Sequence, residues 1–368
     1  MGASQSIPDA ARRMTAPLVA SGAMTASKQA EIIASCELFG APGRAVPIVR
    51  AGSGGGGAPS LNSSSFTSVA AVSFAAQSHL TAAGAEAATA DKAMGADLTL
   101  PDFAHKAGLF GICEGHDAAG VRAAAYVRGH LHEHLAASLA VARAGATLPH
   151  IAVPALSGTR AQIHNAFMAC DAALCVDEPP ANVLSSGATA AFLFVRRADD
   201  GTQTLYTANV GDVEIAIGRG PRAAPTVATT KHDLETPAGQ ADARSRGATL
   251  FRSRGRTLMN PGVGGAYVRS FGNADCKPAG GGRGGTAEPS QFSMPLTADC
   301  DFAIIATEAF WRHVPTIRAV DHVYRETARG GARTDSAEAL KALYMQEALA
   351  HGDSFSHDAS VLVVWFNH

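Results

Sequence analysis

The hydrophobic pattern changes period several times along the chain, and each change marks an element. Leu109-Phe110-Gly111-Ile112-Cys113 is a short apolar run that predicts a buried strand, and the following Glu114-Gly115-His116-Asp117 predicts a polar turn. From Gly120 towards Gly145 the spacing becomes helical, with Leu131, Leu135 and Leu139 four apart on one face. A second helix is predicted from Ile163 to Leu174, and strands from Thr189 to Val195, Thr204 to Val210 and Val213 to Ile217. Asp199-Asp200-Gly201 reads as the hairpin joining the first two strands, and Gly211-Asp212 as the hairpin joining the second pair. Phe302 to Thr307 and Ser360 to Phe366 are strand-like, with a helix between them near Ser336 to Leu349. Upstream, Ser27 to Leu38 reads as a short helix and Thr67 to Phe74 as β-like, while Ala82 to Ala96 is alanine-rich without a period. Many short strands with a few long helices point to an α+β layered domain rather than a parallel βαβ array.

Glycine clusters divide the chain. Residues 51–58 read as a flexible linker, and no Gly-Lys-Ser/Thr follows to make them a phosphate loop. A second glycine-rich run, within residues 279–286, reads as a surface loop. The expected division is an N-terminal tail and linker over 1–60, then one domain over 61–368.

Composition narrows the class. The 368 residues are 46% hydrophobic and 17% charged, enough apolar surface for a real core and too little charge for wholesale disorder. A net charge of -2 gives no electrostatic case for a nucleic-acid partner. The six cysteines are scattered with no CxxC pair, so neither a disulfide scaffold nor a zinc ribbon is expected. No run approaches the roughly 18 apolar residues of a membrane span, and Met1 to Arg13 lacks the apolar block of a signal peptide. A cytoplasmic monomer is expected. Membrane contact remains open, because Met1-Gly2-Ala3-Ser4-Gln5-Ser6 fits the N-myristoylation pattern with Gly2 as acceptor; a frayed tail with a chance glycine is the plainer alternative.

Three acids flank strand-like runs: Glu114, Glu308 and Asp358. Carboxylates at strand ends are how a sheet presents oxygen ligands to a hard cation, although such acids are more often solvated turn residues. The order of the surrounding pieces adds to this. Phe110-Gly-Ile-Cys-Glu-Gly-His116 resembles the FxVFDGH turn of the metal-dependent Ser/Thr protein phosphatases of type 2C. Ser186-Gly-Ala-Thr-Ala190 resembles their SGSTA, Ala208-Asn-Val-Gly-Asp212 their ANVGDS, and Lys231-His-Asp233 their DHK. Ala266-Tyr-Val-Arg-Ser-Phe-Gly272 resembles LAVSRAFGD, and Ala287-Glu-Pro289 resembles AEP. Ala306-Thr-Glu-Ala-Phe-Trp311 resembles ASDGLWD, and His357-Asp-Ala-Ser-Val361 resembles DNITV. These elements stand in family order between Thr67 and Phe366. The resemblance implies an α+β fold of two stacked antiparallel β-sheets flanked by helices, a four-layer α-β-β-α sandwich. It also implies a two-metal site of Mn²⁺ or Mg²⁺ at one edge of the sandwich, where a bridging water attacks phosphoserine or phosphothreonine.

Carried over residue by residue, Glu114 falls on the bridging Asp, Gly115 on the residue offering its carbonyl, and His116 on the general-acid histidine. Glu308 and Asp358 fall on two further metal-binding acids, and Asp171 on the acid of a weaker third metal. The departures are serious. Each Asp→Glu change moves a carboxylate by about 1.5 Å, and Mg²⁺ demands near-octahedral ligands at about 2.0–2.1 Å. No arginine lies between Arg50 and Arg122, so the phosphate-binding arginine is lost; in the best register Leu80 replaces it, with Gly84 and Ala85 in place of a Glu-Asp pair. Glu86 and Asp91 lie close enough to compensate if the register slips. Arg312 stands where the family has another acid; it either replaces a metal as counter-charge for the acidic cluster or points to solvent.

Two further features carry plainer expectations. His130 and His134 have the spacing of a zinc pair, but with no third ligand nearby they read as a solvated helix face. Lys231 opens a flap-like segment over about 230–265, expected to shape partner recognition rather than chemistry. The sequence thus predicts a regulatory pseudophosphatase that binds phosphoproteins or signalling partners. The alternative is an active Mn²⁺- or Mg²⁺-dependent Ser/Thr phosphatase using Glu114, Glu308, Asp358 and Asp171. A third reading is a structural module tethered through Gly2.

Overall fold

Neighbouring side chains along the strands enter different cores, and this period of two sets the layers. The structure, a computed structural model, describes residues 7–20, 22, 24–37, 69–77, 93–98, 107–143, 156, 158–198, 200–260, 267–278, 283–352 and 358–366. The strands are β1 (Val69–Gln77), β2 (Ala93–Leu98), β3 (Ala107–His116), β4 (Gly187–Arg197), β5 (Gln203–Val210), β6 (Glu214–Gly218), β7 (Thr226–Val227), β8 (Leu250–Ser253), β9 (Arg256–Met259), β10 (Phe271–Gly272), β11 (Ser290–Pro295), β12 (Phe302–Ala306) and β13 (Ala359–Phe366). The helices are α1 (Ile7–Ala20), α2 (Ala26–Glu37), α3 (Gly120–Arg143), α4 (Gly158–Asp177), α5 (Pro180–Val183), α6 (Pro237–Ser245), α7 (Glu308–His313), α8 (Thr316–Ala328) and α9 (Ser336–Ala350).

One sheet runs β1-β13-β12-β6-β7 and the other β11-β5-β4-β3-β2, with β10 pairing β4. In β4, Phe192 and Phe194 turn outward onto α3 and α4, where Leu131, Leu135, Ile163 and Phe167 meet them. The intervening Ala191, Leu193 and Val195 turn inward against Ile215, Ile305 and Leu362 of the other sheet. β13 shows the same alternation: Leu362 and Val364 face inward, while Val361, Val363 and Trp365 pack on Phe310, Val320, Leu340 and Tyr344. The result is the expected α+β sandwich of two antiparallel sheets between helical layers. Burial of large side chains such as Phe110, Phe192, Phe302 and Tyr344 contributes on the order of 2–3 kcal/mol each.

The structure corrects several local expectations. Gly211-Asp212 is not a hairpin: β5 lies in one sheet and β6 in the other, so this dipeptide crosses between sheets. Gly211 has φ 86, and a Cβ there would stand 2.2 Å from the Thr189 side chain, so only glycine permits the crossing. The polar turn after the first strand begins later than its composition suggests, since Glu114, Gly115 and His116 still pair with Thr189, Ala188 and Gly187. His132 and His134 are not solvated, with exposures of 7% and 1%, because α1 packs against α3 and covers that face. Residues 234–276 hold their own small core of Leu234, Ala243, Ala248, Met259, Val268 and Cys276. Among the described residues no helix is long and apolar enough to cross a membrane. Gly2, the linker at 51–58 and residues 279–282 of the glycine-rich loop lie outside the described residues.

Candidate functional site

One edge of the sandwich collects the ends of strands from both sheets, and with them a cluster of acids. Glu114 sits near the end of β3, two residues on from the inward-facing Ile112, so strand parity carries it towards the gap between the sheets. Asp212 lies in the crossover from β5 to β6, and Glu214 opens β6 opposite Ala306. Ala306 in turn pairs with Val361, so Glu308, which opens α7, and Asp358, just before β13, emerge at the same edge. The register is held by Thr307, whose N–H donates to the Ser360 carbonyl at 3.0 Å and whose hydroxyl accepts the Ser360 N–H at 3.0 Å. Gly115 belongs to the same construction: a Cβ there would stand 2.2 Å from the Gly120 carbonyl, so the strand end approaches the start of α3 as only glycine allows.

The acids feel one another. Burial, then the charges of Glu114 and Glu308, push the Asp212 carboxyl up to about 6, and Lys231 offsets part of this. Glu214 is also raised, by burial and by Asp212 and Glu308 against Lys231. Two cations answer the cluster. Arg312 is one turn beyond Glu308 on α7 and grips its carboxylate with a fork: Nη2 donates to Oε2 at 2.6 Å and Nε to Oε1 at 3.3 Å. Lys231 Nζ donates to the same Oε1 at 3.4 Å. Arg312 remains 44% exposed at its side chain, so solvent reaches the pair.

His116 is nearly covered. Its Nδ1 lies 2.7 Å from Asp117 Oδ2, whose carboxylate favours the Nδ1–H tautomer. Its ring stacks on Tyr267 with centroids 3.7 Å apart, and the buried Nε2 has no hydrogen-bond partner among the described residues. Burial, then Asp212, Glu114 and Asp117, raise the Tyr267 phenol, which places that ring beside the acids. Sequence reasoning gave no role to Asp212, Glu214 or Tyr267. The two acids carried a readable signal, since both adjoin a strand end opposite Glu308; Tyr267 carried none.

Asp171 lies apart, in a buried pair of its own. Both its oxygens accept from Lys277 Nζ at 2.7 Å, and Oδ1 also accepts the Gly272 N–H at 2.8 Å. Lys277 completes its shell on the Ser270 carbonyl at 2.9 Å. The carboxylate expected to serve a third metal is therefore committed to an ammonium, which ties residues 270–277 to α4.

The arrangement can be tested as a divalent-metal centre. Among the described residues no three His, Cys, Asp or Glu side chains converge closely enough to hold a metal ion. Glu308 is turned to Arg312 and Lys231, and Asp171 to Lys277. The donor set as placed does not fit a two-metal centre, and no chemical step is derived through one. Leu80, Gly84, Ala85, Glu86 and Asp91 lie outside the described residues.

Comparison with known proteins bears on the family and the fold. The family model for protein phosphatase 2C matches residues 86–353. A rice protein (Oryza sativa subsp. japonica), probable protein phosphatase 2C 74, is 32% identical over 239 residues, covering 63% of this chain and 52% of that protein. The chain thus spans about half the length of the curated relative it matches. Among solved structures, a serine-threonine phosphatase 2C from Toxoplasma gondii superposes with a TM-score of 0.62 at 13% identity, over 89% of this chain and 99% of that one. A sex-determining protein of C. elegans superposes with a TM-score of 0.57 at 15% identity, over 82% and 65%. At these identities the superpositions speak for the fold alone.

Proposed function

Because the chain belongs to the protein phosphatase 2C family, we propose that it is a regulatory member of that family, a pseudophosphatase that engages phosphoproteins or signalling partners without efficient turnover. The observation that carries this reading is the Arg312 fork on Glu308, joined by Lys231. On this reading the guanidinium and the ammonium take up the carboxylate that the resemblance gives to a metal ion, and they supply the counter-charge from within the chain. Two Glu-for-Asp exchanges and the lack of any arginine between Arg50 and Arg122 support it further. Lys231 and Arg312 are then the groups able to meet a phosphate, as binding groups rather than as parts of a reaction.

One observation favours a second reading, an active Mn²⁺- or Mg²⁺-dependent Ser/Thr phosphatase. The Asp212 carboxyl is raised first by burial and then by the charges of Glu114 and Glu308, which Lys231 offsets only in part, and a divalent cation is drawn to such a group of acids. One experiment separates the two: hydrolysis and binding of a phosphothreonine peptide across a Mn²⁺ and Mg²⁺ titration, with Asp358→Ala as control. The regulatory reading expects peptide binding that depends on the phosphate and no metal-dependent rate. A saturable metal-dependent rate lost in Asp358→Ala overturns it in favour of the enzyme. Attachment of the chain to a membrane through Gly2 is a separate proposal, tested by whether Gly2→Ala redistributes the protein.

A further inference from the structure

On the outer face of the α3–α4 layer, away from the acidic edge, α1 lies over a cavity of about 700 Å³. Its walls are largely apolar, with Met14 and Pro17 from α1 and Ala169 and Val176 from α4. Besides Arg13 and Asp177, two deeply buried polar side chains line it, His134 of α3 and Asn165 of α4, with exposures of 1% and 2%. Neither makes a hydrogen bond among the described residues: both ring nitrogens of His134 and both amide atoms of Asn165 are buried and unpartnered. Buried amide and imidazole groups are almost always satisfied, and leaving four such atoms unpaired in one place is costly. Few convergent polar groups in an apolar concavity of this size is the usual build of a small-molecule site.

The charges at the rim indicate what kind of molecule fits. Arg13 donates to both oxygens of Asp177 at 2.9 and 3.0 Å, and the Tyr126 hydroxyl donates to Asp177 at 2.6 Å. Both Arg13 contacts leave from Nη1, and the pair balances its own charge, so it offers an incoming ligand no net charge. Burial holds His134 far down, at about 3, so it enters the cavity as a neutral imidazole with one donor and one acceptor. Asn165 likewise offers one carbonyl acceptor and an amide donor. We propose that this cavity binds a neutral small molecule with an apolar body and an amide-like edge, donor beside acceptor, which pairs with Asn165 and His134. A carboxylate would find only Arg13, whose charge Asp177 already balances, and a hydrocarbon would leave the four polar atoms unpaired.

The test uses the full chain and three probes of similar size: 2-naphthamide, 2-naphthoate and 2-ethylnaphthalene. Titration is followed by NMR at the Asn165 side-chain amide and the His134 ring. The expected result is saturable shifts at both residues for 2-naphthamide, with affinity at least about tenfold above either analogue. Asn165→Leu removes that preference, and Ala169→Phe, on a partly exposed wall, weakens all three probes by filling the cavity. The proposal is overturned if the wild-type signals do not saturate by about 1 mM, if the three probes bind alike, or if Asn165→Leu keeps the preference. The wild-type comparison decides the matter even if a variant fails to fold.

Discussion

Replacing Arg312 by aspartate removes the guanidinium from Glu308 and restores an acid at that position. The structure sets the size of the effect. A metal sharing the Glu308 carboxylate would lie about 5 Å from the guanidinium that now grips it at 2.6 Å. For unit against double charge, this repulsion is about 7 kcal/mol at an effective dielectric near 20 and about 2 kcal/mol at that of water. Arg312 is 44% exposed, so the lower figure governs. Even that corresponds to more than about tenfold in affinity. Mn²⁺ binding, measured calorimetrically at low salt, should therefore tighten at least about tenfold in Arg312→Ala and further in Arg312→Asp. Glu308→Gln in the Arg312→Asp background should reverse the gain. If wild type binds two Mn²⁺ ions at micromolar concentration and Arg312→Ala changes the affinity less than about twofold, the cation is no barrier and the reasoning fails.

Other consequences follow from buried charge. Lys277→Met strands the Asp171 carboxylate with the Gly272 N–H as its one remaining donor in the pair, and should cost about 3–5 kcal/mol in urea unfolding. Asp171→Leu in the same chain should recover most of it, and a cost below about 1 kcal/mol for Lys277→Met alone would show that the pair is not a constraint. Stability should also fall in mild acid. Burial holds His132 at about 4 and His134 and His232 at about 3, so the unfolded chain takes up three protons that the folded chain refuses. Each costs about 1.4 kcal/mol per pH unit between roughly pH 6 and 4, while Asp212, raised to about 6, opposes with one such contribution. From these four groups the loss is about 3 kcal/mol per unit, none of it present above about pH 7, and a flat unfolding free energy from pH 7 to 5 would refute it.

The layers were legible because strand parity and helix spacing are local. Leu109 to Cys113, the strands from Thr189 to Ile217 and the helix from Gly120 all stand where the pattern puts them, within a few residues. What failed was tertiary. Gly211-Asp212 has the composition of a hairpin, and nothing local reveals that its two strands belong to different sheets. The histidines of α3 read as solvated because the helix that covers them, α1, lies far from them in sequence, and nothing local to α3 reveals its packing there. At the edge, Glu114, Glu308 and Asp358 were found as acids at strand ends and Arg312 as a counter-charge for them, but Lys231 was not. Lys231 reaches Glu308 across 77 positions of sequence, a contact made by the sheet crossing rather than by any motif.

The two committed acids share a physical logic. Glu308 and Asp171 come from different elements, and each is met by a cation of the chain itself, Arg312 by a one-turn helical spacing and Lys277 by the return of residues 270–277 over α4. A carboxylate brought into a partly buried edge has to be neutralised, and an internal ammonium or guanidinium does so at any metal concentration. The neutralisation is incomplete. The Asp212 and Glu214 carboxyls are raised by burial first and by neighbouring acids after it, against Lys231, so acids still crowd the cations that would meet a phosphate. Under the proposed regulatory reading, a phosphorylated partner docking here would meet attraction from Lys231 and Arg312 and repulsion from the acids behind them. On that reading the phosphate supplies part of the affinity and the surrounding protein surface the rest, so binding depends on the phosphate without resting on it alone.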